Sequence, residues 1–214
     1  MLKVKICGMT NYEDAAMAAE LGADALGFIF ASSPRRISPE KAREIIRKLP
    51  PFVKTVAVFV NEDQKTISEI IEYCGIDIAQ LHGDEPPELR GNFMCPVIKA
   101  FRVKDESSLE DMAPYVNSVK AFLLDTYSRK AAGGTGKVFN WDIAEKSRVF
   151  DVPVILAGGL SPANVEEAVK KVRPYAIDVN SGIESRPGKK DHGLMGELFG
   201  KLGKYRLGGC EAQS

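Results

Sequence analysis

Short apolar runs alternate with amphipathic segments along most of the chain. The runs are rich in Val, Ile, Leu, Phe and Ala, the composition expected of strands that are covered on both faces. They predict eight strands, over residues 4–6, 25–30, 55–60, 76–81, 97–101, 119–124, 154–156 and 175–179.

The amphipathic segments between these strands predict helices over residues 13–21, 39–49, 64–73, 85–91, 107–113, 141–148, 162–172 and 192–202. Thr10 and Glu13 are spaced as a capping box, and Gly22 is placed to end the first helix in a left-handed conformation. Ser38 followed by Pro39 is a typical N-cap and first-turn pair for the second helix.

Eight strand–helix units of about 25 residues each indicate an α/β protein with a parallel sheet. Eight such units favour closure into a (βα)8 TIM barrel formed by one domain over residues 1–207. An open doubly wound sheet is the rival, but no GxGxxG fingerprint follows any predicted strand. We expect residues 208–214 to be a disordered tail.

Composition and charge exclude several classes of protein. Lys and Arg together equal Asp and Glu at 29 each, whereas a general nucleic-acid binder is usually basic. No apolar run reaches the roughly 18 residues that a membrane span needs, and the N-terminus lacks the features of a signal peptide. The four cysteines form no CxxC pair and indicate reduced thiols in the cytoplasm. With two histidines, the chain gives little support for a metal site.

Polar residues and glycines follow the predicted strands at the end where the active sites of such barrels lie. This grouping is stronger evidence for a site than any one residue. The positions are Cys7-Gly8, Ser32–Arg36, His82-Gly83, Asp125-Thr126, Gly158-Gly159 and Asn180-Ser181-Gly182.

Cys7 is the first candidate for chemistry. A free cysteine in a strand is often a small buried apolar residue. At the barrel mouth, near the start of the first helix, the helix dipole would instead favour a thiolate, which can act as a base. Cys74 and Cys95 fall toward the opposite face and are expected to be structural.

Asp125 ends the apolar run of residues 121–124. It is either a cap of a turn or helix, or a partly desolvated carboxylic acid with a raised pKa that can donate a proton. Residues 127–140, which include Gly133-Gly134-Thr135-Gly136, form an unusually long connection. Such connections are surface loops or active-site lids, and the two interpretations are compatible.

Two glycine turns, Gly158-Gly159 and Ser181-Gly182, follow the seventh and eighth strands. Barrels often bind phosphate with these two loops and a short helix N-terminus, because glycines let backbone N–H groups approach the phosphate oxygens. Tight turns without a ligand remain the alternative.

Three further positions are candidates for substrate binding. Of Arg35 and Arg36, one is suited to hold a substrate carboxylate with two parallel hydrogen bonds. His82 is either a hydrogen-bonding residue at a strand end or a group of the site. Asp178, in an apolar strand, is either a substrate contact or a buried structural acceptor.

The chain resembles the phosphoribosylanthranilate isomerase family over residues 3–205, in the family's order and spacing. KICG near the N-terminus, followed by QLHG and GGTG, is a specific combination. The matching stretches are KICGMT (5–10), GADALGFIF (22–30), SPRRISPEKAR (33–43), VAVFVN (56–61), AQLHGDE (79–85), LLDT (123–126), GGTGKVFNW (133–141), ILAGGLSPANV (155–165) and DVNSGIESRPGKKD (178–191).

The resemblance implies a role for each matching residue. Cys7 would be the general base and Asp125 the general acid, while Arg36 would bind the anthranilate carboxylate. The two glycine turns would hold the phosphate and Asp178 would line the pocket. Two departures are visible: Asn140 stands where the family commonly has Asp, and Asn180 stands where Ser is frequent. Neither touches the acid–base pair.

The implied reaction is an Amadori rearrangement of N-(5-phosphoribosyl)anthranilate, which belongs to tryptophan biosynthesis and needs no metal or redox cofactor. It requires one protonated and one ionised group at the same pH, so we expect a raised carboxyl pKa and a lowered thiol pKa. Small-molecule binding by a cytoplasmic monomer or homodimer, without nucleic acid or membrane, completes the prediction.

Two alternatives stay open. Another phosphosugar barrel, such as the histidine-pathway isomerase or indole-glycerol-phosphate synthase, would be expected to carry aspartate at the first strand end or more Lys and Glu at strand ends. A phosphate-binding scaffold without chemistry is the other, and the presence of Cys7 and Asp125 speaks against it.

Overall fold

The computed structural model describes residues 1–88, 93–126 and 141–206. Eight parallel strands pair in chain order, and β8 pairs with β1, so the sheet is a closed barrel. The strands are β1 (Lys3–Ile6), β2 (Ala25–Ile29), β3 (Lys54–Phe59), β4 (Ile78–Leu81), β5 (Val97–Val103), β6 (Ala121–Thr126), β7 (Val154–Leu156) and β8 (Ala176–Val179). The predicted (βα)8 barrel is confirmed.

Helices alternate with these strands around the barrel. They are α1 (Tyr12–Glu20), α2 (Pro39–Ile46), α3 (Gln64–Cys74), α4 (Ser108–Met112), α5 (Trp141–Lys146), α6 (Val165–Val172) and α7 (His192–Arg206). Three-residue or four-residue 3-10 turns cover Ala113–Tyr115, Ser147–Phe150 and Ser181–Ile183, and a short hairpin of β9 (Glu184–Arg186) and β10 (Lys189–Lys190) follows the last turn.

Three predictions fall wholly or partly outside the described residues: the helix over 85–91, the long connection 127–140 with Asn140, and the tail 208–214. None of the helices in the described ranges is long and apolar enough to span a membrane.

The N-cap of the first helix differs from the prediction. Asn11, rather than Thr10, caps α1, and its Oδ1 accepts a hydrogen bond from the Asp14 N–H at 2.9 Å. The Thr10 hydroxyl instead donates to the carbonyl oxygen of Gly188, so its side chain is directed toward the turn between β9 and β10. Gly22 has a φ of +94°, which confirms the left-handed turn at the end of the helix.

The barrel has an outer and an inner set of buried side chains, because successive residues of a strand point to opposite faces. The outer set packs against the helices. The inner set is small and apolar in the lower part of the barrel, formed by Ile98, Ala100, Ala121, Leu123, Ile155, Ala157 and Ala176. By the same alternation Asp125 and Asp178 point inward, above this apolar layer, so the fold places polar groups at the carboxyl ends of the strands.

Candidate active site

A pocket of about 190 Å³ opens at the carboxyl ends of the strands. It is lined by Cys7, Ile29, Val58, Gln80, His82, Asp125, Ala157, Gly158, Gly159, Leu160, Asp178, Asn180 and Ser181. Seven of the predicted site residues are therefore brought together. Arg36 and Gly182 do not line this pocket, although each is next in sequence or in the sheet to a residue that does.

Cys7 and Asp125 approach the pocket from opposite sides. Cys7 follows β1 and Asp125 lies in β6, and β7 and β8 separate these strands on one side of the barrel. The thiol and the carboxyl group therefore line the same pocket from strands that are three places apart around the eight-stranded barrel.

The environment of Cys7 differs from the expectation. Burial raises the pKa of the Cys7 thiol, whereas the sequence predicted a pKa lowered by the helix dipole. The side chain is 4% exposed, and α1 begins at Tyr12, five residues further along the chain. The nearby ammonium groups of Lys5 and Lys190 act in the opposite direction and lower the thiol pKa, but burial outweighs them.

A buried ion pair lies beside Cys7 inside the barrel. The Nζ of Lys5 is 2.9 Å from Oδ2 of Asp178, and the two residues are neighbours in the register of β1 and β8. Asp178 Oδ1 is buried and has no hydrogen-bond partner in the described residues. Asp178 therefore has one oxygen fixed by Lys5 and a second, buried oxygen that has no partner in the described residues.

His82 connects Asp125 to β4. Its Nε2 lies 3.4 Å from Oδ2 of Asp125, and its Nδ1 lies 3.0 Å from Nε2 of Gln80. When the Gln80 amide donates to Nδ1, the neutral imidazole carries its proton on Nε2, facing Asp125. His82 is thus placed to orient the carboxyl group of Asp125 rather than to act alone.

The two glycine turns lie side by side at the rim. Gly158 and Gly159 have φ values of +84° and +65°, and in the described chain their N–H groups donate no hydrogen bond. A Cβ on Gly182 would lie 2.0 Å from the carbonyl oxygen of Leu160, so only glycine lets the two loops pack this closely. Ser181 begins the 3-10 turn beside them. Free N–H groups at a glycine turn are suited to bind an anion.

The adjacent arginines differ in their partners. Arg35 forms a bidentate ion pair with Glu184, with nitrogen–oxygen distances of 2.9 and 2.7 Å. Arg36 is exposed, and its guanidinium contacts no acid within the described ranges. The backbone of Arg36 bridges to Ile29, which lines the pocket. Of the two, Arg36 is therefore the arginine available to a ligand.

A second cation, Lys190, was not among the predicted residues. It is 3% exposed, and its Nζ lies 2.9 Å from Oδ1 of Asn180 and 3.1 Å from Oε1 of Glu184. Burial lowers the pKa of Lys190, against the opposing attraction of Glu184. These contacts fix the loop that follows β8, whose Asn180 and Ser181 line the pocket.

The remaining cysteines of the described chain lie away from the pocket. Burial raises the pKa of the Cys74 thiol to about 11, and its Sγ lies 3.3 Å from the Pro39 carbonyl oxygen. Cys95 is half-buried just before β5, and burial also raises its pKa. Among the described residues, no group of three or more His, Cys, Asp and Glu side chains is arranged to hold a metal ion.

Fold and site together define an enzyme of the (βα)8-barrel class, with ionisable groups and glycine turns around one pocket at the carboxyl ends of the strands. The family model described as N-(5'phosphoribosyl)anthranilate (PRA) isomerase matches residues 4–201. The chain therefore belongs to the N-(5'-phosphoribosyl)anthranilate isomerase family.

Individual relatives agree with this assignment. An N-(5'-phosphoribosyl)anthranilate isomerase from Geobacter metallireducens is 57% identical over 200 residues, which are 93% of this chain and 98% of that protein. The phosphoribosyl anthranilate isomerase from Thermotoga maritima has a TM-score of 0.88 and 44% identity, covering 95% of this chain and 99% of its own. Another structure of the Thermotoga maritima isomerase describes it as dimeric.

One related structure holds a ligand. It is a phosphoribosyl anthranilate isomerase in complex with reduced 1-(o-carboxyphenylamino)-1-deoxyribulose 5-phosphate. Its TM-score is 0.86 and its identity 42%, and the match covers 95% of this chain and 99% of that chain.

Proposed function

We propose that this chain catalyses the Amadori rearrangement of N-(5-phosphoribosyl)anthranilate to 1-(2-carboxyphenylamino)-1-deoxyribulose 5-phosphate, with Cys7 as general base and Asp125 as general acid. The observation that carries the assignment of roles is that both side chains line one pocket from opposite sides of the barrel. Membership of the isomerase family supports the reaction.

The first two proposed steps each move one proton. Asp125 donates a proton to the ribose ring oxygen, and the bond between this oxygen and C1 breaks to give an iminium ion. The Cys7 thiolate then removes the proton from C2, and the C2–H electron pair forms the C1=C2 double bond while the iminium nitrogen becomes an amine, which gives an enol-amine. A proton then adds to C1 and the C2 hydroxyl loses its proton, which gives the ketone. His82 Nε2 lies 3.4 Å from Oδ2 of Asp125, so its ring is placed to keep the carboxyl group directed at the pocket.

We assign the other residues in and beside the pocket to the polar groups of the substrate. We assign the phosphate to the turns at Gly158-Gly159 and Ser181-Gly182, where free N–H groups are available. Arg36 is assigned to the anthranilate carboxylate, because Arg35 is occupied by Glu184. Asp178 lines the same pocket, and we assign its carboxylate to a hydroxyl group of the substrate.

Cys7→Ser and Asp125→Asn test the two roles. We expect each variant to lose about 10²–10⁴-fold in kcat, the usual contribution of a positioned acid or base, with an unchanged fold. The loss of anthranilate-substrate fluorescence measures turnover, and circular dichroism checks folding. Cys95→Ser is the matched control and retains its activity because Cys95 is outside the pocket. Near-normal kcat in either pocket variant contradicts the assignment.

We propose that the protein works in the cytoplasm, as a monomer or homodimer. A reducing compartment suits the three cysteines of the described chain, which are unpaired thiols. The pocket is formed within one chain, so we expect specific activity to stay constant on dilution through any dimer equilibrium seen by sedimentation. Activity that falls as dimers dissociate contradicts a self-sufficient site. Cell fractionation checks the compartment.

A further inference from the structure

Lys5 is a buried cation that the proposed acid–base mechanism does not yet use. It lies in the middle of β1, 3% exposed, with its ammonium inside the barrel. Burying a charge costs free energy, and a buried ion pair is often no more stabilising than apolar side chains of similar volume. Its place above the apolar inner layer therefore needs an explanation other than packing.

Lys5 is next to Cys7 on the same face of β1, because residues two apart along a strand point the same way. Gly27 of β2 lies against both: a Cβ on Gly27 would be 2.6 Å from Sγ of Cys7 and 3.2 Å from Cε of Lys5. The absence of a side chain at Gly27 thus leaves the space in which the thiol and the lysine meet.

Asp178 holds the ammonium in that position. The 2.9 Å contact to Asp178 Oδ2 fixes the end of the lysine side chain on the β8 side of Cys7. A cation held beside a buried sulfur favours the thiolate, and the carboxylate of Asp178 has the opposite effect on the sulfur.

We infer that Lys5 is a positioning residue whose ammonium group, fixed by Asp178, stabilises the Cys7 thiolate during proton abstraction. The inference deepens the proposed function and rests on it, because Cys7 is the base in that proposal. The other charged or titratable groups around Cys7 are Lys190 of β10, His82 just after β4, Asp125 of β6, and Arg35 with Glu184 at the rim.

The test is the ionisation of Cys7 in the free enzyme. In a chain whose other cysteines are replaced by alanine, the ¹³Cβ shift of labelled Cys7 is followed against pH. We expect Lys5→Met to raise the thiol pKa by about one unit or more, and Asp178→Asn to lower it. The thiol pKa of the double variant should lie between the values of Lys5→Met and of the parent, because Lys5 has a larger effect on the ionisation of Cys7 than Asp178 does.

A second readout is the acid limb of the pH profile of kcat/KM, which should move in the same direction as the thiol in each variant. Lys3→Met is the matched control: Lys3 is also on β1 and paired at 2.9 Å with Asp24, but at the opposite end of the barrel. It should leave both readouts unchanged.

The thiol pKa of Cys7 is expected to rise in Lys5→Met and to fall in Asp178→Asn, and these opposite shifts distinguish an electrostatic role from a structural one. If the pair only joins β1 to β8, both single variants lose stability while the Cys7 titration stays in place, and that result overturns the inference. Should Lys5→Met fail to fold, the Cys7 thiol pKa in the other two variants still tests the inference. It should be lower than in the parent in Asp178→Asn and higher than in the parent in the double variant. Full activity in Cys7→Ser would instead remove the proposed base, whatever the titrations show.

Discussion

Two adjacent arginines at the barrel rim show how residue neighbours in sequence take different roles. Arg35 is bound to Glu184, while Arg36 is exposed beside the pocket. We expect Arg36→Ala to lower kcat/KM by about 10–100-fold through KM, because a lost charge-assisted hydrogen bond contributes equally in the ground and transition states. Steady-state kinetics at saturating and limiting substrate measure the split.

Arg35→Ala is the counterpart and should affect stability instead. Within the described residues it leaves the nearly buried Glu184 with Lys190 as its one remaining cation, and we expect a loss of about 1–3 kcal/mol in the free energy of unfolding. Urea unfolding of both variants measures this. A large KM increase in Arg35→Ala with unchanged stability, and a normal KM in Arg36→Ala, would reverse the two assignments.

At the scale of residues, the sequence predicts which side chains lie at the pocket better than it predicts their ion pairs and pKa values. Cys7 and Asp125 were found because they end apolar strands, and Asp178 because it is polar within one. Lys5 and Gln80 are also polar residues in apolar strands, but they are not among the predicted site residues. The Lys5–Asp178 pair and the raised thiol pKa depend on strand register and depth, which no local stretch of sequence contains.

At the scale of elements, Gly182 lets the loop after β8 lie against the loop after β7. We expect Gly182→Ala to push these loops apart, because the added Cβ would meet the carbonyl oxygen of Leu160 at 2.0 Å. Inhibition by inorganic phosphate should weaken by about tenfold or more, as expected when a charge-assisted contact is lost. Competition kinetics with phosphate measure it.

Gly200→Ala is the control for a glycine in open space. Gly200 lies in α7 with nothing within 4 Å of an added Cβ, and alanine there should stabilise the helix by about 0.5–1 kcal/mol. Phosphate inhibition that is unchanged in Gly182→Ala would remove this turn from the anion site.

The apolar pattern predicts all eight strands, because a strand that is covered on both faces is a nearly continuous apolar run. Helix ends are less well predicted, because distant contacts compete with local caps. Thr10 has the sequence of a cap but bonds to Gly188, 178 residues away. Similarly, α6 begins at Val165 rather than at Pro162, where the Ser161 N–H donates to the Asn164 side chain and forms a turn first.

At the scale of the molecule, Asp14 joins the first helix to β10 and to the start of α7. Its carboxylate, on α1, accepts hydrogen bonds from the Lys189 ammonium and the Lys190 N–H at 2.8 Å, and lies 2.9 Å from Nε2 of His192. Burial alone would raise the pKa of Asp14, but these bonds and one from Asn11 outweigh it and lower the pKa to about 2.

A depressed carboxyl pKa makes stability depend on pH in one direction. The native carboxylate is favoured above its ordinary pKa of 3.8, and this stabilisation is lost as the pH falls from about 5 through 2, since protonation removes the acceptor. A shift of this size corresponds to about 2 kcal/mol. We expect Asp14→Asn to lose roughly that amount at pH 7 and much less at pH 2.5, measured by urea unfolding at both values. Glu69→Gln, on the surface of α3, should show no such difference. Equal destabilisation of Asp14→Asn at both pH values would mean that α1 is joined to β10 and α7 by packing rather than by the charge of Asp14.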